Sequence, residues 1–211
     1  MKLVCIDKID STHIYLCDNI RTNKIKDNFA IYALEQNNGI GSRDNSWDSL
    51  RGNLHLSFCI KQNELSNDIP TESMSIYFAY IFKELLAIKG SNIWLKWPND
   101  FYIEDKKIGG IISSKINDFI IVGIGLNIKY APINAGFLDI NIDLDCFIKE
   151  YLLKCEKKIL WKDIFKKYVL EFEKSKVCSF YHKDKKLSLS NALLYEDGSI
   201  LLENKRIYSL R

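Results

Sequence analysis

At 211 residues, 47% hydrophobic and 27% charged, the chain has the size of one medium globular domain, or of one with a small appendage, and its composition excludes disorder and fibrous repeats. Thirty basic against 27 acidic residues leave a net charge of +3, too balanced for broad electrostatic capture of DNA or RNA. The six cysteines form no C-x-x-C pair and lie mostly in apolar runs, so buried reduced thiols are expected rather than disulfides or a zinc site. With no leader and no apolar stretch near about 18 residues, neither secretion nor a membrane span is expected, and the cytoplasm is the expected compartment.

Taken in chain order, "KLVCI" reads as a short strand, and "DST" supplies side-chain oxygens suited to capping a helix that begins near His13. "FAIYALEQ" is apolar and β-branched, as a strand should be, and it delivers the chain into "NNGIGSRDNSW", residues 37 to 47. "GNLHLSFCIK" alternates with period two and predicts a half-buried strand. "PTESMSIYFAYIFKELLAIKG" predicts a helix, with Pro70 ahead of it, an apolar band at Ile76, Phe78, Ala79, Phe82 and Leu85/Leu86, and Gly90 as terminator.

"IWLKWPNDFYI" is blocked from helix by Pro98 and reads as strand, turn, strand; "KKIGGIISSKI" and "DFIIVGIGLNI" are two further strands. From Asp143 to about Lys174 the spacing is helical, as two helices broken around Ile159 to Lys162, with the clustered lysines forming a solvated face. The final segment alternates around an Asp-Gly hairpin signal. The expected class is α+β, a mixed β-sheet with helices packed on it, organised as residues 1–175 followed by a small β unit over 176–211.

Four stretches carry chemistry-bearing residues. The loop at 37–47 offers Gly39, Gly41 and Arg43 to an anion, yet no G-K-[ST] follows and G-x-G-x-x-G fails at Asp44, so a plain turn, an anion cradle and a mobile flap all stay open. In "KWPND", residues 96–100, rigid Pro98 can aim Asn99 and Asp100 beside Lys96, although an Asx-capped hairpin explains the same letters. "KKIGG" can place the Lys107 ammonium in a cleft floored by Gly109 and Gly110, or merely a lysine at a strand edge. "GIGLN" is either a strand end displaying Asn127 or a bulge in the core.

In this order and spacing, D-S-T, Q-x-x-G-x-G-S-R-x-x-S-W, G-N-L-x-L-S, K-W-P-N-D, K-I-x-G-I and G-x-G-x-N together resemble the catalytic domain of biotin protein ligases, over roughly residues 5 to 130 and more loosely beyond. The resemblance implies a biotin/lipoate ligase-like fold, akin to class II synthetases, with a shortened SH3-like C-terminal unit. It implies ATP-dependent formation of biotinyl-5′-AMP and transfer of biotin to a lysine of a biotin carboxyl carrier protein, with ATP and biotin as substrates and Mg²⁺ beside them. Such a step needs positioning and positive charge at the phosphate rather than a covalent nucleophile.

Carried over residue by residue, Ser11, Thr12, His13 and Gln36 would meet the ureido end of biotin, whose donors and carbonyl suit hydroxyl and amide partners. The valeryl chain would lie along Leu54 to Ser57 and the Gly109/Gly110 floor, covered by Gly39, Ile40, Gly41 and Ser42. Lys107 would bridge the biotin carboxylate and the α-phosphate; Arg43, Trp47, Lys96, Asn99 and Asn127 would meet the nucleotide. Asp100 would orient Lys107 or help hold Mg²⁺ through the phosphates.

The chain departs from the family's G-R-G-R-x-G-R-x-W loop: Ile40, Ser42 and Asn45 stand at arginine positions and Asp44 at a glycine, leaving Arg43 as the one cation. Because D-S-T begins at residue 10, no DNA-binding module and no repressor role are expected; a homodimer is left open. The rivals are a lipoate or octanoate ligase or transferase of the same fold, a non-catalytic biotin-binding module, and a lysine-rich nucleic-acid binder.

Overall fold

The computed structural model describes residues 1–42, 45–182 and 185–208. Strands β1 (Lys2–Ile9), β2 (Phe29–Gln36), β3 (Leu54–Lys61), β4 (Trp94–Lys96), β5 (Asp100–Ile103), β6 (Lys106–Ile116) and β7 (Phe119–Leu126) form a seven-stranded sheet in the order β1-β2-β3-β7-β6-β5-β4. The sheet is mixed: β1 and β2 are parallel, while every other pair is antiparallel. The parallel pair needs a crossover, and α1 (Thr12–Arg21) supplies it. Ser11 caps α1, its hydroxyl accepting from the Ile14 N–H.

Each face of the sheet has its own helix. Leu16, Cys17 and Ile20 of α1 pack with Ile31, Cys59 and Ile121, whereas α2 (Met74–Ile88) packs with Ala30, Phe58, Ile60 and Val122 in the main core. Gly90, at φ +99°, ends α2 as the terminator it was read to be. β3 is not half-buried: seven of its eight residues are buried. It lies between β2 and β7 with a helix on each side, so the polar positions of its alternation, His55 and Ser57, face other protein groups rather than solvent.

The two late helices are α3 (Leu144–Cys155) and α4 (Trp161–Ser175), separated close to the expected break; the lysines of α4 are exposed as a solvated face. Two small antiparallel sheets follow, β8 (Ser179–His182) with β9 (Lys185–Ser188), and β10 (Leu193–Leu194), β11 (Ile200–Leu202) and β12 (Lys205–Ile207). Ile200 and Ile207 of these strands, with Leu189 and Ala192 from the connection between β9 and β10, join the main core cluster. All six cysteines are free, but only Cys17, Cys59 and Cys155 are buried; Cys5 and Cys146 are exposed. Among the described residues no helix is long and apolar enough to cross a membrane.

Candidate active site

Side chains alternate along a strand, so those level with Cys59 and Ile121 on the α1 side include Ser57, Gly123 and Gly125. Cross-strand register carries that face outward: Gly125 pairs with Gly110, Gly110 with Asp100, and Asp100 with Lys96. Two bare α-carbons and then two charged side chains therefore line up across four strands, with Gly123 beside them on the same face of β7. Over them lie two adjoining cavities that share His13, Ser42, Asn99, Asp100 and Lys107, the larger about 680 Å³.

At one end the polar groups are already connected. The Thr12 N–H and hydroxyl donate to Gln36 Oε1 at 2.8 and 3.0 Å, and the Thr12 and Ser57 hydroxyls meet at 2.8 Å. Gln36 Nε2 donates to Ser49 Oγ at 2.9 Å, and Ser49 donates to the Trp47 carbonyl at 3.1 Å. His13 is 6% exposed, its Nε2 3.0 Å from Ser114 Oγ and its Nδ1 unpartnered above Gly123. Burial pulls its pKa from 6.5 to about 4, so the ring is neutral near pH 7.

At the other end Lys107 Nζ lies 2.6 Å from Asp100 Oδ1. Lys96 Nζ donates to the Tyr102 hydroxyl at 3.3 Å and sits 5.2 Å from the ring centre. Burial, and then the charge of Asp100, push the Tyr102 phenol well above its usual range, keeping it a neutral donor. The Asn99 amide donates to the Ile111 carbonyl, and Ile111 N–H returns a bond of 2.9 Å to the Asn99 carbonyl, fixing the turn that delivers Asp100.

Residues 39–41 of the loop pair antiparallel with residues 45–47. Trp47 N–H donates to the Gly39 carbonyl at 2.8 Å, Gly41 N–H to Asn45 at 2.7 Å, and Ile40 bridges Ser46. A Cβ on Gly39 would stand 2.5 Å from Ser49 Oγ, which is why the base of the loop takes glycine. Ile40, Gly41 and Ser42 line the cavities, and the Trp47 indole lies on Gly125. Arg43, with Asp44, lies outside the described residues.

Of the residues singled out from sequence, the cavities gather Ser11, Thr12, His13, Gln36, Ile40, Gly41, Ser42, Trp47 and Ser57 from the first half of the chain, and Lys96, Asn99, Asp100, Lys107 and Gly110 from the second. Gly39, Leu54, Gly109 and Asn127 are not among the lining residues. Leu54 points into the α2-side core, Gly109 is held against the Gly125 carbonyl, and the Asn127 amide is spent on Gly136. Ile112, Ser114, Tyr102, Gly123 and Gly125 line the cavities without having been singled out. Gly123 and Gly125 stand two apart in β7 and so share a face, but only the strand register shows which face that is.

Residues 5–127 match the biotin/lipoate A/B protein ligase family. The bifunctional ligase/repressor BirA of Escherichia coli is 26% identical over 94% of this chain and 68% of its own length; its Salmonella typhimurium namesake is 32% identical over 62% of this chain and 43% of its own. The chain thus spans about two thirds or less of these curated relatives. A Helicobacter pylori biotin acetyl coenzyme A carboxylase synthetase, solved with bound biotinylated ATP, superposes with a TM-score of 0.93 at 35% identity, covering 98% of this chain and 99% of that one. Biotin protein ligase from Aquifex aeolicus, in complex with biotin and ATP, shares the fold at a TM-score of 0.66 and 23% identity over 100% of this chain and 96% of that one. The chain belongs to the biotin/lipoate A/B protein ligase family.

Proposed function

We propose that this protein is an ATP-dependent biotin protein ligase that activates biotin as biotinyl-5′-AMP and transfers it to a lysine of a biotin carboxyl carrier protein. One observation carries the reading: the Lys107–Asp100 pair and the Thr12–Gln36–Ser57 network stand at opposite ends of one glycine-floored cavity. That arrangement suits a ligand with a hydrogen-bonding ring at one end and a carboxylate at the other. The high similarity to the H. pylori synthetase supports it.

In the first step the biotin carboxylate attacks the α-phosphate of ATP and pyrophosphate leaves. The Lys107 ammonium offsets the charge gathered where two anions meet, and Asp100 holds it there. Thr12, Ser57 and Gln36 are assigned the ureido group, while Lys96, Asn99, Trp47 and Arg43 are assigned the nucleotide. In the second step the carrier's neutral ε-amine attacks the acyl carbon and AMP leaves.

Among the described residues no group of three His, Cys, Asp or Glu side chains could hold a metal ion. The donor set fits Mg²⁺ carried on ATP phosphate oxygens, with Asp100 as the one carboxylate among the described lining residues, where the ion would screen phosphate charge. The six free cysteines accord with a reducing cytoplasm.

The test is biotin-dependent exchange of pyrophosphate into ATP. Exchange with biotin is expected; exchange with lipoate or octanoate and none with biotin would overturn the choice of substrate. Binding of biotin without transfer to any carrier would leave only a binding module.

A further inference from the structure

Three consecutive carbonyls near the C-terminus each accept from a side chain of the preceding fold. Trp161 Nε1 donates to the Glu196 carbonyl at 2.8 Å, the Ser73 hydroxyl donates to the Asp197 carbonyl, and Trp97 Nε1 donates to the Gly198 carbonyl at 2.9 Å. The turn between β10 and β11 that offers them is braced from within: Asp197 Oδ1 accepts from the Ser199 N–H at 3.1 Å, and its Oδ2 lies 2.7 Å from Arg206. Gly198 stands at φ +74°, and a Cβ there would meet Ile76 Cδ1 at 2.8 Å, so glycine is what lets the turn press this close to α2.

Of the three donors, Trp97 alone belongs to the turn that carries Asn99 and Asp100. It is fully buried; its backbone N–H donates to Ser175 Oγ at 2.9 Å, and its ring meets Phe180 edge to face with centres 5.1 Å apart. Three residues on, Asp100 pairs with Lys96 and Gly110 in register and reaches Lys107 Nζ at 2.6 Å. A plain aromatic ring would already bury area in this slot. The indole N–H adds direction, because a hydrogen bond weakens steeply once its donor leaves the line to the acceptor.

We infer that Trp97 is a positioning residue: the bond from its indole N–H to the Gly198 carbonyl sets residues 97–99 at a fixed height on the C-terminal hairpin, and so places Asp100 and the ammonium it holds. The inference rests on the ligase reading only for the chemical task of Lys107. Its own content is a mechanical link between residue 198 and the Asp100–Lys107 pair.

The experiment compares Trp97→Phe with Trp161→Phe in biotin-dependent pyrophosphate exchange, with biotin affinity, melting temperature and amide hydrogen exchange read alongside. Each substitution strips one donor from the same hairpin turn, but only the first lies on the turn that delivers Asp100. Both should lower the melting temperature. Trp97→Phe is expected to lower kcat about 10- to 100-fold, as a displacement near 1 Å can, while biotin Kd moves less than about twofold; Trp161→Phe should change kcat less than about twofold. In an Asp100→Asn background Trp97→Phe should add less than about twofold, because both act on one ammonium. Amide exchange should quicken at residues 99–101 in Trp97→Phe and not in Trp161→Phe.

An equal loss of kcat in the two single variants, equal losses in rate and biotin affinity, or full multiplication with Asp100→Asn would each overturn the proposal. Should Trp97→Phe fail to fold, the benzothienyl isostere of tryptophan placed at residue 97, which keeps the double ring and lacks the N–H, is read in the same ways. If the wild type shows no biotin-dependent exchange, the ligase reading fails and the amides of residues 99–101 decide the link by themselves: quickening confined to Trp97→Phe upholds it, and no change overturns it.

Discussion

His13 is a titratable ring held neutral because α1 and β7 bury it, with Ser114 as the one hydrogen-bond partner of the ring among the described residues. Its folded pKa of about 4 lies below its unfolded value of 6.5, so its contribution to stability is complete above pH 6.5 and is lost as the pH falls toward 4. The loss amounts to ~3 kcal/mol across that window, from the size of the shift. Urea melts of wild type and His13→Gln from pH 7.5 to 4 should show a steeper fall in the wild type; parallel curves would mean that the ring is not neutral when folded. At Gly125 an added methyl would stand 2.7 Å from Trp47 Nε1. Gly125→Ala should therefore displace the indole at a cost of about 1–3 kcal/mol, read as a shift in emission that a Trp47→Phe control abolishes, together with faster release of the adenylate. Lys107, Asp100, Thr12 and Gln36 were legible from their motifs. Whether Asn127 is displayed or turned inward stayed open, since its direction depends on the path of residues 128–138, which no local spacing encodes.

Among the elements, β4 is the outermost strand of the sheet, yet its outer edge is not open. Leu95 N–H donates to Glu171 Oε2 at 3.1 Å and Trp97 N–H to Ser175 Oγ at 2.9 Å, so one face of α4 stands in for an eighth strand. Glu171 is also 3.3 Å from Lys83 and 2.9 Å from Lys174; although burial pushes its pKa up, Lys174, Lys83 and the Leu95 N–H together hold it below the usual carboxylate value. Glu171→Gln keeps an acceptor for Leu95 but removes the charge from beneath Lys83, and should cost about 2 kcal/mol. An unchanged denaturation midpoint would show that the lysines do not depend on it. The helices and the strand-turn-strand at Pro98 could be read from apolar period and proline placement. β3 was judged too exposed because alternation reports two unlike faces, not whether either faces water.

Across the whole molecule, the C-terminal hairpin is fastened to the turn that carries Asn99 and Asp100. Trp97 Nε1 donates to the Gly198 carbonyl at 2.9 Å, Trp161 Nε1 donates to the Glu196 carbonyl at 2.8 Å, and the Ser73 hydroxyl donates to the Asp197 carbonyl. With Ile200 and Ile207 inside the same core as α2, thermal unfolding should follow one cooperative transition with calorimetric and van't Hoff enthalpies equal. Two resolved transitions would mean that the segment beyond residue 175 melts on its own. Composition predicted one domain with an appendage, but not this fastening, because residues 97 and 198 are joined by packing and not by any pattern along the chain.

The floor of the cavity is made at three places by glycine, at residues 110, 123 and 125. No residue is smaller, so every single substitution at these positions adds atoms to the space above them. Mutation there can narrow the range of molecules admitted but cannot widen it. A variant selected to accept a bulkier ring would have to acquire its room from the walls, at Ile112 or Trp47, and inheritance at the floor runs in one direction only.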